Sequence, residues 1–281
     1  MTTGVGTLPW ADQTGGQLSL QDRLALFAQG VPTQTEELVG WLLSRVRRMK
    51  RTDHAVLLRL AGSVGSDKPT TSIERAARDL CWAVSPPWLR AHCCRTYALG
   101  ALLGRGLSFD SEILFVASML HDVGLTDAFR QGSDPGLIPA YTQKGAPCFA
   151  VRGAGVAQSL ASIHGWPSAS SNALAEAISL HLNARVTKSR GVEAHLLNAA
   201  SAFDVVRLKS YRLPFESARR VEERWPRGDS FCRDLLAVWV HESDDHPQCR
   251  GAFLNRWGCF KQRVRRACLT KLDASRTSDD E

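Results

Sequence analysis

The chain has 281 residues and a formal net charge of +7, with 44% hydrophobic and 22% charged residues. This balance excludes a collagen-like chain, an intrinsically disordered chain and a coiled-coil rod. A chain of this length buries roughly three quarters of the surface that it exposes when unfolded, so we expect a sizeable core. These figures fit a globular enzyme with a basic exterior.

The cysteines and the apolar runs indicate a cellular compartment. Eight cysteines are scattered through the chain without a CxxC pair, a pattern that fits neither a disulfide framework nor a zinc ribbon. The first thirty residues lack a basic region followed by a continuous apolar stretch, so we expect no secretory signal. No apolar run approaches the ~20 residues that cross a bilayer. We therefore expect a reduced, cytoplasmic protein with no membrane partner.

The predicted elements are almost all helices. Residues 1–17 are rich in Gly and Thr and predict a flexible leader, whereas nearly every later segment repeats its apolar residues with helical period. No run alternates polar and apolar residues for long enough to form a strand, so we predict an all-α fold. In chain order the predicted helices cover residues 19–29, 35–50, 72–84, 87–104, 110–122, 150–165, 172–184, 192–209, 214–225, 229–241 and 254–272.

Two segments lack this periodicity. Residues 131–148 contain Gly, Pro, Ser and Asp and predict a long loop, of a length that often covers a functional site. Residues 273–281 carry four acidic side chains and one arginine, which predicts a disordered acidic tail.

Ionisable residues lie where the helical pattern predicts burial. Three of the predicted helices place such a residue on an apolar stripe, and a fourth, apolar nearly all round, ends in a His-Asp pair. Because a buried carboxylate is costly unless it is paired, two of them call for a common explanation. The residues are His92, His121, Asp122, His181 and Asp204.

One bound divalent metal would remove all these costs together. Neutral imidazoles and carboxylates are good ligands for zinc, iron and manganese, and open coordination positions would hold a water of lowered pKa. Each residue also has a plainer explanation: a single histidine is commonly a hydrogen-bonded core residue, and Asp204 could pair with Arg207. For the metal to be absent, all of these coincidences would have to occur together.

The arrangement of His92, then His121–Asp122, then a distant Asp204 resembles the HD superfamily of metal-dependent hydrolases. Longer strings look like its cyanamide hydratase branch, namely SPPWLRAHCCRTYALGALLG, FDSEILFVASMLHDVGLT, CFAVRGAGVAQSLASIHGW, AEAISLHLNARV and SAFDVV. The resemblance implies an HD-type helical bundle over residues 85–209, with N-terminal helices at 18–84 and C-terminal helices at 210–272 packed around it.

By position, the resemblance implies a role for individual residues. His181, in the SLHLN string, matches a histidine near the substrate and would act as proton shuttle, with Asp122 as the second catalytic residue. The expected cofactor is one divalent metal, zinc first, with iron or manganese as alternatives. The expected substrate-binding residues are Thr126, Asn183 and Arg95. The expected metal ligands are His92, His121, Asp122 and Asp204.

Three further positions refine this comparison. In bimetallic HD enzymes two histidines fall between His-Asp and the last Asp, and His164 and His181 occupy those places. His164 precedes Gly-Trp at a predicted helix end, which favours a capping or surface histidine and a single metal. Ala150 stands where cyanamide hydratase relatives commonly carry Glu. Leu125 stands where cyclic-dinucleotide phosphodiesterases usually carry Lys.

These observations rank three functions. The first is hydration of a small nitrile-type molecule by water activated on the metal. The alternative is a phosphohydrolase in which Arg95 or Arg152 binds phosphate oxygens. A third hypothesis is a nucleic-acid-binding or regulatory protein. It rests on basic clusters at 45–51 and 256–271. Such clusters are more often solvated helix faces, so we disfavour nucleic acid as a partner, expect a small-molecule substrate and leave a homo-oligomer open.

Overall fold

The computed structural model describes residues 4–47, 69–130, 138 and 146–269. These ranges contain twelve α-helices and no sheet, which confirms the all-α prediction. The helices, numbered here in chain order, are α1 Leu8–Thr14, α2 Leu20–Arg47, α3 Ser72–Val84, α4 Pro87–Leu103, α5 Ser111–Leu120, α6 Phe149–Ile163, α7 Ser168–Leu180, α8 Val192–Val206, α9 Phe215–Arg224, α10 Phe231–Asp245, α11 Arg250–Trp257 and α12 Phe260–Leu269.

Helix α5 lies at the centre of the bundle. The carboxylate of Asp110 caps its first turn by accepting from the amides of Glu112 and Ile113, as N-cap residues do. All residues from Ile113 to Leu120 are buried, because the helix is apolar all round and packs against α3, α4, α6, α7 and α8. Its C-terminal end therefore delivers the following residues, His121 and Asp122, to the interior.

The leader predicted for residues 1–17 is wrong where the structure describes it, because residues 8–14 form α1. Trp10 is 3% exposed, and the guanidinium of Arg250 lies 5.0 Å from the centroid of its ring. Gly15 ends the helix with φ +59°, a left-handed conformation that glycine adopts without strain. The glycines that indicated a flexible leader thus serve a tight turn.

Two predicted helix boundaries are also corrected. The predicted helices 19–29 and 35–50 are one continuous helix, α2, which contains Pro32; the last three predicted residues lie outside the described part of the chain. The predicted helix 254–272 is divided into α11 and α12, because Cys259 adopts φ +51° between them.

The two predicted segments without helical periodicity fall mostly outside the described part of the chain. Of the long loop predicted at 131–148, only 138 and 146–148 are described, and the acidic tail predicted at 273–281 is not described.

The expectation of eight reduced cysteines is corrected by a disulfide between Cys232 and Cys268. The two residues lie on α10 and α12, with Cα atoms 6.5 Å apart, within the distance that a disulfide bridges. The other six cysteines, all within the described ranges, form no disulfide. Of the helices described, none is both long enough and apolar enough to cross a membrane.

Candidate metal centre

Three of the four predicted ligands come together in the interior. His92 is on α4, and His121 and Asp122 follow α5. One donor atom from each lies within 4.8 Å of the other two, and all three residues are buried. Nε2 of His92 lies 3.1 Å from Nε2 of His121 and 3.4 Å from Oδ2 of Asp122, which in turn lies 3.3 Å from Nε2 of His121.

Hydrogen bonds on the far side of each ring orient the two histidines. Nδ1 of His121 lies 2.9 Å from the carbonyl oxygen of Ser118, which can only accept, so Nδ1 carries the proton. Nδ1 of His92 lies 2.7 Å from Oδ2 of Asp204, an ionised carboxylate that also accepts. His121 therefore points an unprotonated Nε2 into the cluster, as metal ligation requires, and Nε2 of His92 faces the same point.

Burial and neighbouring charges shift the pKa of each of these three groups. Burial lowers the pKa of His121 to about 3, so its imidazole is neutral at neutral pH. Burial alone would raise the pKa of Asp122, but His121, His181 and His92 hold it well below its usual range. Burial would lower the pKa of His92, yet hydrogen bonds to Asp122 and Asp204 raise it. The cluster thus combines imidazole nitrogens with an ionised carboxylate.

Asp204, the fourth expected ligand, lies outside this cluster and binds other partners. Its two oxygens accept from Nδ1 of His92, from two guanidinium nitrogens of Arg95 and from Arg227. Burial would raise its pKa, but Arg95 and Arg227 hold it well below the usual range. The structure therefore places Asp204 behind His92, on the side of the ring that faces away from His121.

His181 follows α7 and faces Asp122. Its Nδ1 donates to the carbonyl oxygen of Ile178 at 2.6 Å, which orients the ring. Its Nε2 lies 3.4 Å from Oδ1 of Asp122, the carboxylate oxygen turned away from the two other histidines. His164, in contrast, contacts Ser72 through Nδ1 at 3.3 Å and does not belong to the cluster.

The three expected substrate-binding residues each bind another part of the chain. The hydroxyl of Thr126 donates to the carbonyl oxygen of Val123 at 2.6 Å. The amide of Asn183 donates to Val5 at 2.7 Å and accepts from Arg250 at 3.1 Å. Arg95 pairs with Asp204 and also donates to the carbonyl oxygen of Trp225 at 2.9 Å.

Sequence reasoning missed two buried charges next to the centre. Glu242 of α10 accepts from Arg152 of α6 at 2.7 Å through both oxygens, and Arg152 also donates to the carbonyl oxygen of Gly124, two residues after Asp122. Arg227 precedes α10 and reaches Asp204. Glu242 lies in an ordinary amphipathic helix and Arg227 in the link before it. No local sequence pattern therefore indicated that either side chain is buried.

The donor set fits a divalent metal. Two imidazole nitrogens and one carboxylate oxygen are a common protein contribution to catalytic zinc and to mononuclear iron sites. Three protein ligands leave positions for water and substrate, which separates a catalytic site from a closed structural one. His92, His121 and Asp122 therefore have the donor atoms and the proximity to hold one ion.

Comparison with known proteins agrees with this centre. Residues 89–206 match the family model described as HD domain, an interval that includes the three clustered residues, His181 and Asp204. The match supports assignment of this part of the chain to the HD superfamily, whose members are generally metal-dependent hydrolases. No curated protein matches the chain.

Proposed function

We propose that the protein uses one divalent metal, zinc first, to hydrate a small uncharged molecule of the nitrile type. One observation carries the choice of substrate class: the arginines that a phosphate would need already pair with carboxylates. Arg95 lies 2.9 Å from Asp204 and Arg152 lies 2.7 Å from Glu242, and all four side chains are 1% exposed. A phosphate ester needs a cation to balance its charge, whereas an uncharged nitrile does not.

The residues of the centre divide the chemistry among them. His92, His121 and Asp122 would hold the metal, which supplies Lewis-acid activation of water. His181 would accept the proton that the water loses, because its Nε2 lies 3.4 Å from the carboxylate of Asp122. The hydrogen bond from its Nδ1 to the carbonyl oxygen of Ile178 holds the ring in this orientation.

The surroundings of His181 favour an apolar substrate. The ring of Phe149 lies 5.8 Å from that of His181, centroid to centroid, and Ala150 beside it is fully buried. The family resemblance expects a glutamate at position 150, and the alanine leaves α6 without that second acid or base. The proposal therefore gives the proton transfer to His181 alone.

Parallel assays test the substrate class. Metal-free protein is reconstituted with zinc, iron or manganese, and each form is incubated with cyanamide and small nitriles, or with nucleotides and aryl phosphates. We expect urea or amide to form in the first set, through addition of one water across the C≡N bond, and little phosphate release in the second. Phosphate release that disappears in His121→Ala, without hydration of any nitrile, would overturn the proposal.

Substitution of His181 tests its role. We expect His181→Ala to lower kcat roughly 10²- to 10⁴-fold, the usual contribution of a general base, while elemental analysis shows the metal content of the unaltered protein. His164→Ala is the matched control, since His164 contacts Ser72 outside the cluster, and it should change neither quantity. Loss of metal from His181→Ala as complete as from His121→Ala would make His181 a ligand.

A further inference from the structure

Helix α2 carries an apolar stripe on its outer face. Four of its apolar side chains are largely exposed, namely Leu20 (74%), Leu24 (60%), Phe27 (46%) and Val31 (67%). Steps of four, three and four residues keep them on one face, because an α-helix has 3.6 residues per turn. This alternation is the a/d spacing of a helix that packs along a second helix. We call these four residues the α2 stripe.

The opposite face of α2 already packs on the rest of the protein. Leu26 is 3% exposed and belongs to a core cluster with Trp10, and Thr33 donates to the carbonyl oxygen of Ala184 at 3.2 Å. At 3.6 residues per turn, Leu26 and Thr33 lie about half a turn round the helix from the α2 stripe. The contacts that hold α2 in the fold therefore leave the stripe without a role.

Trp257 of α11 extends the α2 stripe sideways. Its ring lies 5.9 Å from the ring of Phe27, centroid to centroid, and its side chain is 57% exposed. Together with the stripe it presents roughly 500–600 Å² of apolar surface, at the upper end of the largest patch on a typical monomer. A contiguous patch of this size indicates an interaction surface rather than scattered surface residues.

The charges beside the α2 stripe favour an identical partner. From residue 20 to residue 35 the only charged side chains are Asp22 and Arg23, so this part of the helix has no net charge. Two copies can therefore meet along the stripe without repulsion, although each chain carries a formal net charge of +7. An acidic protein or an anionic membrane would find no excess of cations along this part of α2.

The α2 stripe is also complementary to itself. In an antiparallel pair, a two-fold axis between residues 25 and 26 places Leu20 opposite Val31 of the second copy and Leu24 opposite its Phe27, and the reverse. A stable homodimer buries about 800 Å² or more on each subunit. The apolar patch and the polar flanks of a helix of 28 residues together supply such an area.

We propose that the α2 stripe and Trp257 form a dimer interface, at which two copies of this chain pair through antiparallel α2 helices. Removal of the apolar patch from water drives the association. The inference depends neither on the metal nor on the substrate of the proposed function, so the two can fail separately.

Sedimentation equilibrium of the full chain tests the interface. We expect the unaltered protein to have twice the mass of one chain at micromolar concentration. Leu24→Glu should raise the dissociation constant at least about 100-fold, because the dimer would bury a carboxylate without a partner. Ile163→Glu is the matched control: Ile163 is 54% exposed at the end of α6, and its substitution should leave the dimer intact. Circular dichroism should show the same helix content in all three proteins.

Cross-linking tests the register and uses milder substitutions. In a Cys259→Ser background, which lacks the exposed native thiol, Leu20→Cys and Val31→Cys chains are mixed, allowed to exchange and treated with a short bis-maleimide. We expect the mixture to form covalent dimers several-fold faster than either chain alone. The antiparallel pairing places positions 20 and 31 opposite each other, whereas like positions are roughly 16 Å apart along the helix axis.

Three results would overturn the inference. A dimer that Leu24→Glu leaves intact would place the interface elsewhere. A monomer throughout the micromolar range that sediments with phosphatidylserine vesicles would assign the α2 stripe to a membrane. A monomer that leaves such vesicles in solution, and that Leu24→Glu makes easier to unfold, would show that another segment of the same chain covers the stripe.

Discussion

His121 is fully buried, and its low pKa makes it a sensitive reporter of the folded state. Between its ordinary pKa of 6.5 and the folded value of about 3, the unfolded chain binds a proton that the folded chain does not. The free energy of unfolding therefore falls as the pH decreases through this window, by about 1.4 kcal/mol per pH unit for this one group. His92, whose pKa is raised, acts in the opposite direction.

Substitution of His121 isolates its contribution to this pH dependence of the free energy of unfolding. Urea unfolding of metal-free protein at pH 6 and pH 4 should show a steeper loss of stability in the unaltered chain than in His121→Gln, by the equivalent of about one proton. The measurement is the difference between the two slopes, so the contributions of titrating groups far from His121 cancel. Parallel slopes for the two proteins would contradict the low pKa, because His121 would then bind the same number of protons in the folded and unfolded states.

At single positions the sequence predicted which side chains are buried more reliably than it predicted which atoms they contact. His92, His121 and Asp122 were expected from their places on apolar helices, and the structure clusters their donor atoms. The same reasoning expected Asp204 as a ligand, and that role stays a prediction. An apolar stripe predicts that the carboxylate is buried but not its partners, and in the structure Arg95 and Arg227 bind it.

Helices α6 and α10 are joined by the buried pair of Arg152 and Glu242. Burial raises the pKa of Glu242 although Arg152 opposes the shift, which indicates how costly an unpaired charge would be at this position. We expect Arg152→Met to lower the free energy of unfolding by about 3–5 kcal/mol, because it leaves the carboxylate buried without a partner. The double variant Arg152→Met, Glu242→Leu should recover most of that loss.

Urea unfolding at pH 7 checks both variants. Arg233→Met is the control for loss of an arginine, since Arg233 forms an exposed pair with its neighbour Asp234, and it should change stability by no more than about 0.5 kcal/mol. A double variant as unstable as the single one would contradict the explanation, because the stranded charge would then not be the cause.

Helical periodicity predicted most elements, and local backbone conformation explains the exceptions. The predicted gap between residues 29 and 35 is absent, since α2 runs without a break through Gly30 and Pro32. The division between α11 and α12 depends on a positive φ at Cys259, which a cysteine rarely adopts. A single residue with a positive φ does not change the helical periodicity of the sequence, so this division could not be predicted from it.

At the scale of the whole molecule, the bond between Cys232 and Cys268 closes a long segment of the C-terminal region. The two residues are 36 positions apart, and a loop of this size corresponds to about 2–4 kcal/mol of stabilisation. We expect dithiothreitol, or Cys232→Ser, to lower the free energy of unfolding by that amount. Mass spectrometry of a non-reduced digest should recover the linked peptides.

Cys259→Ser provides the comparison, since Cys259 is exposed and free, and it should unfold like the unaltered protein. Equal stability with and without reductant would contradict a disulfide in solution. The sequence could not indicate this pairing: scattered cysteines predict no partner, and only the packing of α10 against α12 brings the two together.

The burial of most of α5 has a consequence for the timescales of motion. Its residues from Ile113 to Leu120 are all buried, so we expect their amide hydrogens to exchange with solvent only when the whole bundle opens. His121 and Asp122 directly follow this slowest-exchanging segment. Any opening that admits a small molecule to them on the timescale of turnover must therefore come from the helices and links around α5, while α5 itself stays fixed.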